Sequence, residues 1–227
     1  MSQNAARQQD SAELRREIIS ACRHLLEIGH FVGTWGNVSV RVEEGFLVTP
    51  SAVDYAILQP EDFVVVSMDG NKISGERIPS TETELHRRLL IQRPDIGAFV
   101  HTHALYASCM AASHKPLPVV MEDMAQMIGG QVKCTRYAPG GRNRDLSEVA
   151  CQAIGENATA VLLGNHGAVV GGRTLAEAVT ASKVLEKSAF IYIAAEAIGG
   201  CIAIPNELVG EERNRLLHHY GKEDVTQ

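Results

Sequence analysis

Two histidines in His101-Thr102-His103 leave the apolar run Gly97-Ala98-Phe99-Val100. Side chains two apart on an extended strand share a face, so a strand ending here presents two imidazoles together. A carboxylate precedes them in Pro79-Ser80-Thr81-Glu82, and a third imidazole follows in Leu163-Gly164-Asn165-His166-Gly167. Three histidines and one glutamate are the donors that a divalent metal in an enzyme takes. The competing reading of the pair is a hydrogen-bonded core histidine. A partly buried strand is nonetheless a poor place for two imidazoles without partners, because buried polar groups need satisfaction. His101 and His103 are therefore read as metal-binding, whereas His166 alone is a weak signal, because Asn-His-Gly is also a good turn. His86 lies four residues after Glu82 and shares its helical face. It is open to a ligand or supporting role, with packing as the preferred reading. Nothing around His24, His30, His114, His218 or His219 points to ligation.

A second group of residues suits an anion. Gly33-Thr34-Trp35-Gly36-Asn37 is a glycine-bearing loop entering a strand, with Thr and Asn side chains able to donate. Thr49-Pro50-Ser51-Ala52 and Ser80-Thr81 add hydroxyls and backbone N–H groups. The last of these sits where a helix begins, and the dipole of a helix N-terminus favours negative charge. Three such stretches would cradle one phosphate, although each alone also reads as an ordinary turn or cap. Neither a Walker loop nor a dinucleotide fingerprint occurs.

These residues must be positioned by regular elements. Residues 81–93 repeat Leu85, Leu89 and Leu90 at helical spacing, and Pro94 ends the helix. Residues 98–101 read as a short buried strand and 104–113 as a helix. The stretches 160–163 and 167–170 read as strands around the third histidine. Upstream, Asp10-Ser11-Ala12-Glu13 forms a capping box before Leu14, Ile18, Cys22, Leu25 and Leu26, and Gly29 suits the helix end. Val38, Val40 and Val42 alternate with Ser39 and Arg41, then Glu43-Glu44-Gly45 turns and Phe46-Leu47-Val48 returns. A second hairpin runs through 63–66, turns at Asp69-Gly70-Asn71 and returns at Lys72-Ile73. Strands arriving as adjacent hairpins argue for an antiparallel or mixed sheet. Residues 119–137 show no clear period. Asp145 is placed as the cap of a helix over 146–154. Thr174-Leu175-Ala176-Glu177 is a capping box opening a helix to Ala197, which Gly199-Gly200 stop, and a last polar helix covers 211–219.

Bulk properties exclude several classes of partner. The chain has 227 residues, 45% of them hydrophobic and 21% charged, with net charge −6. This is an ordinary globular composition with no basic block, so no nucleic-acid partner is expected. Arg142 and Arg144 are read as a solvated loop. No run is long enough to span a bilayer, and residues 1–10 lack the apolar core of a signal peptide. The five cysteines are widely spaced without a CxxC pair, which fits a cytoplasmic protein with reduced thiols. Residues 1–227 are expected to form one domain, with 1–10 and 222–227 as flexible tails.

Taken together, these motifs resemble the class II aldolase/adducin family. The likeness rests on Gly33-Thr34-Trp35-Gly36-Asn37-Val38-Ser39-Val40-Arg41, Thr49-Pro50-Ser51, Pro79-Ser80-Thr81-Glu82 with His86, and Val100-His101-Thr102-His103. Asn165-His166-Gly167 and the long helix after Gly172 continue it. The resemblance implies an α/β, three-layer α/β/α fold around a mixed, mostly antiparallel sheet, and a homotetramer with active sites between subunits. It implies one divalent metal per subunit, zinc first and manganese or cobalt as alternatives, on His101, His103, His166 and Glu82. Glu82 would also act as acid/base, and Gly36, Asn37, Ser51, Ala52, Ser80 and Thr81 would line the phosphate site. The implied reaction cleaves a ketose 1-phosphate reversibly to dihydroxyacetone phosphate and an aldehyde, the ion stabilising the enediolate charge as a Lewis acid.

Two departures stand out. Ala52 replaces a glycine usual in that turn, and backbone donation there is expected to need a negative φ. The segment Val120-Met121-Glu122-Asp123-Met124 lacks a tyrosine that fuculose-phosphate aldolases carry nearby, whereas Tyr220 matches their C-terminal tyrosine as a second catalytic residue. The sugar is accordingly left open among fuculose, ribulose and 5-deoxy or 5-thio pentulose 1-phosphates. Rival readings on the same scaffold are a pentulose-phosphate 4-epimerase, a methylthioribulose-1-phosphate dehydratase, a sugar-acid phosphate decarboxylase and a non-catalytic adducin-like module. Retention of Glu82 and all three histidines favours the aldolase.

Overall fold

The computed structural model describes residues 5–141 and 144–219. Among them, β1 (Asn37–Val42), β2 (Gly45–Val48), β3 (Val64–Val66), β4 (Lys72–Ser74), β5 (Ala98–Thr102), β6 (Ala160–Leu163) and β7 (Gly167–Gly172) form one sheet. Its order is β4-β3-β2-β1-β5-β7-β6. Every ladder is antiparallel, and parallel pairing is confined to the isolated bridges Gln8–Val42 and Cys134–Leu162. The expectation of a mixed sheet is thus resolved as antiparallel ladders throughout.

Helices cover both faces. They are α1 (Ala12–Glu27), α2 (Thr83–Gln92), α3 (Leu105–Ser113), α4 (Glu122–Ile128), α5 (Arg144–Ile154), α6 (Leu175–Ala197) and α7 (Asn206–His218). On one face Val38, Val40 and Val42 pack against Leu14, Ile18, Cys22 and Leu25 of α1. Leu162, Ala168 and Val170 of the same face meet α3, α4 and α6. On the other face Phe46, Val48, Phe99 and Val169 meet Leu85, Leu89 and Leu90 of α2 and Val149 and Ile154 of α5. Alternation along each strand therefore feeds two apolar layers, which makes three layers in all. No helix among the described residues is long and apolar enough to cross a membrane.

Covering both faces changes what the polar half of β1 does. Ser39 and Arg41 alternate with the valines as solvent-facing residues would, yet both are buried beneath α2. Arg41 Nη2 donates to the Leu90 carbonyl at 2.6 Å, and its Nε donates to Ile96 at 3.2 Å. A cation is well placed there, because the last carbonyls of a helix are unsatisfied and carry the negative end of its dipole.

Several boundaries differ from expectation. Ser11, not Asp10, caps α1 by accepting from Leu14 N at 3.1 Å, while Asp10 pairs with Arg15 at 2.6 Å. Residues 5–10, expected as part of a tail, lie against the fold: Ala5 N donates to Pro94 O at 2.8 Å and Gln8 bridges to Val42. Asp145 sits in the first turn of α5 rather than capping it, because the helix starts at Arg144. Residues 119–137 contain α4, whose seven residues are too few to display a period. The last helix starts at Asn206 behind Pro205, ahead of the expected position. Tyr220, Arg142 and residues 222–227 lie outside the described residues.

Candidate active site

β5 runs between β1 and β7 in the middle of the sheet. His101 points to its α2 side and is fully buried. Its Nδ1 lies 3.0 Å from the Ala168 carbonyl on β7, so Nδ1 carries the hydrogen and Nε2 is left as a lone pair facing the site. His103 follows the strand end, its backbone N–H held by the His30 carbonyl at 2.9 Å. His166 stands at the tip of the β6–β7 hairpin, where Leu163 pairs with Gly167 and His166 N donates to Leu163 O. The tip turns through Asn165 at φ 55, a left-handed conformation that asparagine tolerates better than most residues. Glu82 occupies the N-cap of α2 but makes no cap bond with its side chain, which instead reaches toward the histidines.

The four predicted donors converge. His101 Nε2 and His103 Nε2 are 3.0 Å apart. Glu82 Oε2 lies 3.2 Å from His101 Nε2, and Oε1 lies 3.2 Å from His166 Nε2. One ring nitrogen from each histidine falls within 4.8 Å of the others. Donors on a tetrahedral zinc, with bonds of about 2.05 Å, would sit roughly 3.3 Å from one another. The donor set fits a divalent ion in chemistry, and its contacts of 3.0 and 3.2 Å fit one in spacing.

Electrostatics agree. Burial pulls the His103 and His166 rings down to about 4, so both are neutral lone-pair donors at physiological pH. Burial pushes the Glu82 carboxyl up, but the His101 and His166 rings and the Asn37 amide outweigh it and hold the group at about 2. Near pH 7 the His103 and His166 rings are neutral, so a bound cation would supply the positive charge that the buried carboxylate needs.

The expected phosphate residues border this centre. Pro50 and Pro79 form an antiparallel bridge, Ser51 N donates to Ile78 O at 2.9 Å, and Ser80 N donates to Thr49 O at 3.0 Å. The Ser51-Ala52 and Ser80-Thr81 segments are therefore knitted together at the start of α2. Ser80 is buried and its Oγ accepts from Glu82 N at 3.2 Å, whereas Thr81 and Ala52 are exposed. Gly36 sits at φ 101, and a Cβ there would lie 2.3 Å from the Phe31 ring, so only glycine fits. The Tyr55 hydroxyl donates to the Gly36 carbonyl from below.

One expectation is corrected here, and Asn37 gains a partner that the sequence did not indicate. Ala52 does not keep a negative φ but takes φ 57, because the bridged turn holds the backbone in the glycine-type conformation. Left-handed backbone costs a residue with a Cβ about 1–2 kcal/mol. Asn37, expected to donate to phosphate, uses one amide N–H on Glu82: Nδ2 donates to Oε2 at 2.7 Å, and Oδ1 faces His86 Nε2. His86, for which packing was preferred, is fully buried but hydrogen-bonded at both nitrogens, with Ser39 Oγ 2.7 Å from Nδ1. Burial brings it down to about 3. Its position one turn after Glu82 was the available signal. Gly140 had none: a Cβ there would sit 3.2 Å from His166 Cε1 and 3.4 Å from Glu82 Oε1, so the 138–141 loop walls the site.

Residues 16–193 match the profile described as Class II Aldolase and Adducin N-terminal domain. A 5-methylthioribulose-1-phosphate/5-deoxyribulose-1-phosphate aldolase of Rhodospirillum rubrum is 35% identical, over 91% of this chain and 90% of its own. A 5-deoxy-D-ribulose 1-phosphate aldolase of Bacillus thuringiensis is 33% identical, over 92% and 97%. Among solved structures, an L-fuculose 1-phosphate aldolase superposes with TM-score 0.86 and 32% identity, covering 91% of this chain and 97% of that one.

Proposed function

The chain belongs to the class II aldolase and adducin family, and from that premise we propose that it is a metal-dependent aldolase of a small ketose 1-phosphate. The observation that carries this reading is the convergence of His101, His103, His166 and Glu82 on one point. Those residues would hold the divalent ion, most simply zinc, with manganese or cobalt as alternatives. When bound, such an ion supplies Lewis acidity for the negative charge that develops on the substrate oxygens.

The protein's own residues do the rest. Gly36, Ser51, Ala52, Ser80 and Thr81 would bind the phosphate at the start of α2, where backbone N–H groups and the helix dipole favour an anion. Anchoring the phosphate on C1 fixes the distance from C3 to Glu82, which converts proton transfer into a positioned step. Glu82 would deliver and remove the proton at carbon as the bond between the dihydroxyacetone phosphate half and the aldehyde half breaks or forms. Asn37 keeps the carboxylate aimed. Tyr220 would serve the aldehyde oxygen.

The 5-deoxypentulose names of the two relatives support a 5-deoxy or 5-thio pentulose 1-phosphate as substrate, ahead of fuculose 1-phosphate. So does Met121–Met124, which lacks a tyrosine and belongs to the sheet face opposite Glu82. That placement also supports a homotetramer in which a neighbouring copy completes each site. Unpaired cysteines fit a cytoplasmic enzyme. The test is release of dihydroxyacetone phosphate from a panel of ketose 1-phosphates by the metal-loaded protein. Turnover of a pentulose 5-phosphate with silence across that panel would overturn the reading in favour of epimerisation.

A further inference from the structure

A line of buried polar groups leads away from Glu82 beneath α2, and only its first member enters the reading above. It comprises Asn37 and Ser39, on the α2 side of β1, and His86, one helical turn after Glu82. Ser39 and His86 are 0% exposed and Asn37 is 6% exposed. The layer around them is apolar, built from Val48, Leu85, Leu89 and Phe99 among others.

Each link of the line has one direction. Glu82 Oε2 accepts only, so the Asn37 atom 2.7 Å away is the Nδ2 donor. Asn37 Oδ1 then faces His86 Nε2 at 2.5 Å and can only accept, so Nε2 carries the hydrogen. Nδ1 is left as a lone pair, and the Ser39 hydroxyl 2.7 Å away donates to it. Hydrogens therefore run from Ser39 to His86, from His86 to Asn37, and from Asn37 to Glu82. Flipping the Asn37 amide would set oxygen against carboxylate and N–H against N–H, leaving buried donors and acceptors unmet. At the other carboxylate oxygen, Gly140 leaves open the space that a Cβ would fill 3.4 Å from Oε1.

We propose that Ser39 and His86 are positioning residues for proton transfer: through the Asn37 amide they pin Oε2 of Glu82 as an acceptor. Oε1, beside His166 and not held by the amide, is then the oxygen that takes and returns the proton. This rests on the reading of Glu82 as the proton carrier. A line that merely satisfied core polar groups would not couple Ser39 to turnover.

The test has two arms. Long-range 15N–1H NMR on the metal-free protein reads the His86 tautomer directly. The wild type is expected to show the Nε2–H form. In the metal-loaded enzyme, Ser39→Ala is expected to lower kcat about 10- to 100-fold with KM nearly unchanged, and Ser39→Thr to restore it. Asn37→Asp keeps the shape but sets an oxygen against Oε2, so it should lower kcat at least as far and covers the case of a Ser39 variant that does not fold. An Nδ1–H tautomer in the wild type, or an unchanged kcat in folded Ser39→Ala and Asn37→Asp, overturns the proposal. If the wild type cleaves no ketose phosphate, the aldolase reading fails, and with it the catalytic role of the line. The NMR arm then still decides whether the amide is held in the stated direction.

Discussion

Glu82 is acted on in opposite senses by its surroundings. Burial favours the neutral acid, while two imidazoles and the Asn37 amide favour the carboxylate and prevail, holding it at about 2. A group so held rests as the carboxylate, a hydrogen-bond acceptor. Glu82→Gln is thus expected to retain the fold and lower turnover by about 10²–10⁴-fold, the usual worth of a positioned acid/base. His101→Ala, which removes the buried central donor, should abolish the roughly one equivalent of divalent ion per chain expected from elemental analysis. At Ala52 the left-handed φ of 57 is relieved by glycine. Ala52→Gly should therefore raise stability by up to about 1 kcal/mol in urea titration, and a fall would show that the turn needs its methyl group. The four candidate donors could be picked out in the sequence from the strand-end pair and the family likeness, and the structure brings them together. The role of Asn37 was not legible there, since the direction of its amide is decided by Glu82, 45 positions away.

At the scale of elements, α2 joins the core to the chemistry. Its inner face carries Leu85, Leu89 and Leu90, while its first residue boundary sets Glu82. Leu89→Ala should cost about 2–5 kcal/mol, with turnover falling in the fraction that remains folded, measured by denaturation and kinetics together. The same helix buries His86. Its imidazole titrates at about 3 when folded against 6.5 unfolded, so between those values the unfolded chain binds more protons and stability rises with pH. Lowering the pH of metal-free protein from 7 to about 5 should thus remove roughly 2 kcal/mol through His86 alone. His30, held at about 4, acts in the same sense. A stability independent of pH across this window would contradict the neutral buried imidazole. Strands and long helices could be read from period and caps, but α4 could not, because seven residues packed on α6 and α7 leave tertiary contacts to decide their state.

Across the whole molecule, helices on both faces bury β5, including His101 on it. The arrangement also divides the labour. The metal donors and Glu82 lie on the α2 and α5 side, and Met121–Met124 on the α3, α4 and α6 side. Hairpin order could be read from the sequence, but the burial of Ser39 and Arg41 could not, because alternation alone does not tell a covered face from a wet one. Ile198 and Ile202, 88% and 93% exposed, lie just beyond α6. Light scattering should give four times the chain mass of 24.6 kDa, and a monomer that turns over substrate would refute a shared site.

The central claim, that Glu82 moves a proton at carbon within a metal site, is tested most directly by isotope exchange without any aldehyde present. Metal-loaded protein incubated with dihydroxyacetone phosphate in deuterium oxide should introduce one deuterium at C3 of the triose phosphate, the carbon that forms the new bond. Chelation of the metal or Glu82→Gln should stop the exchange. No exchange by the loaded wild type, or exchange undiminished in Glu82→Gln, would contradict the account.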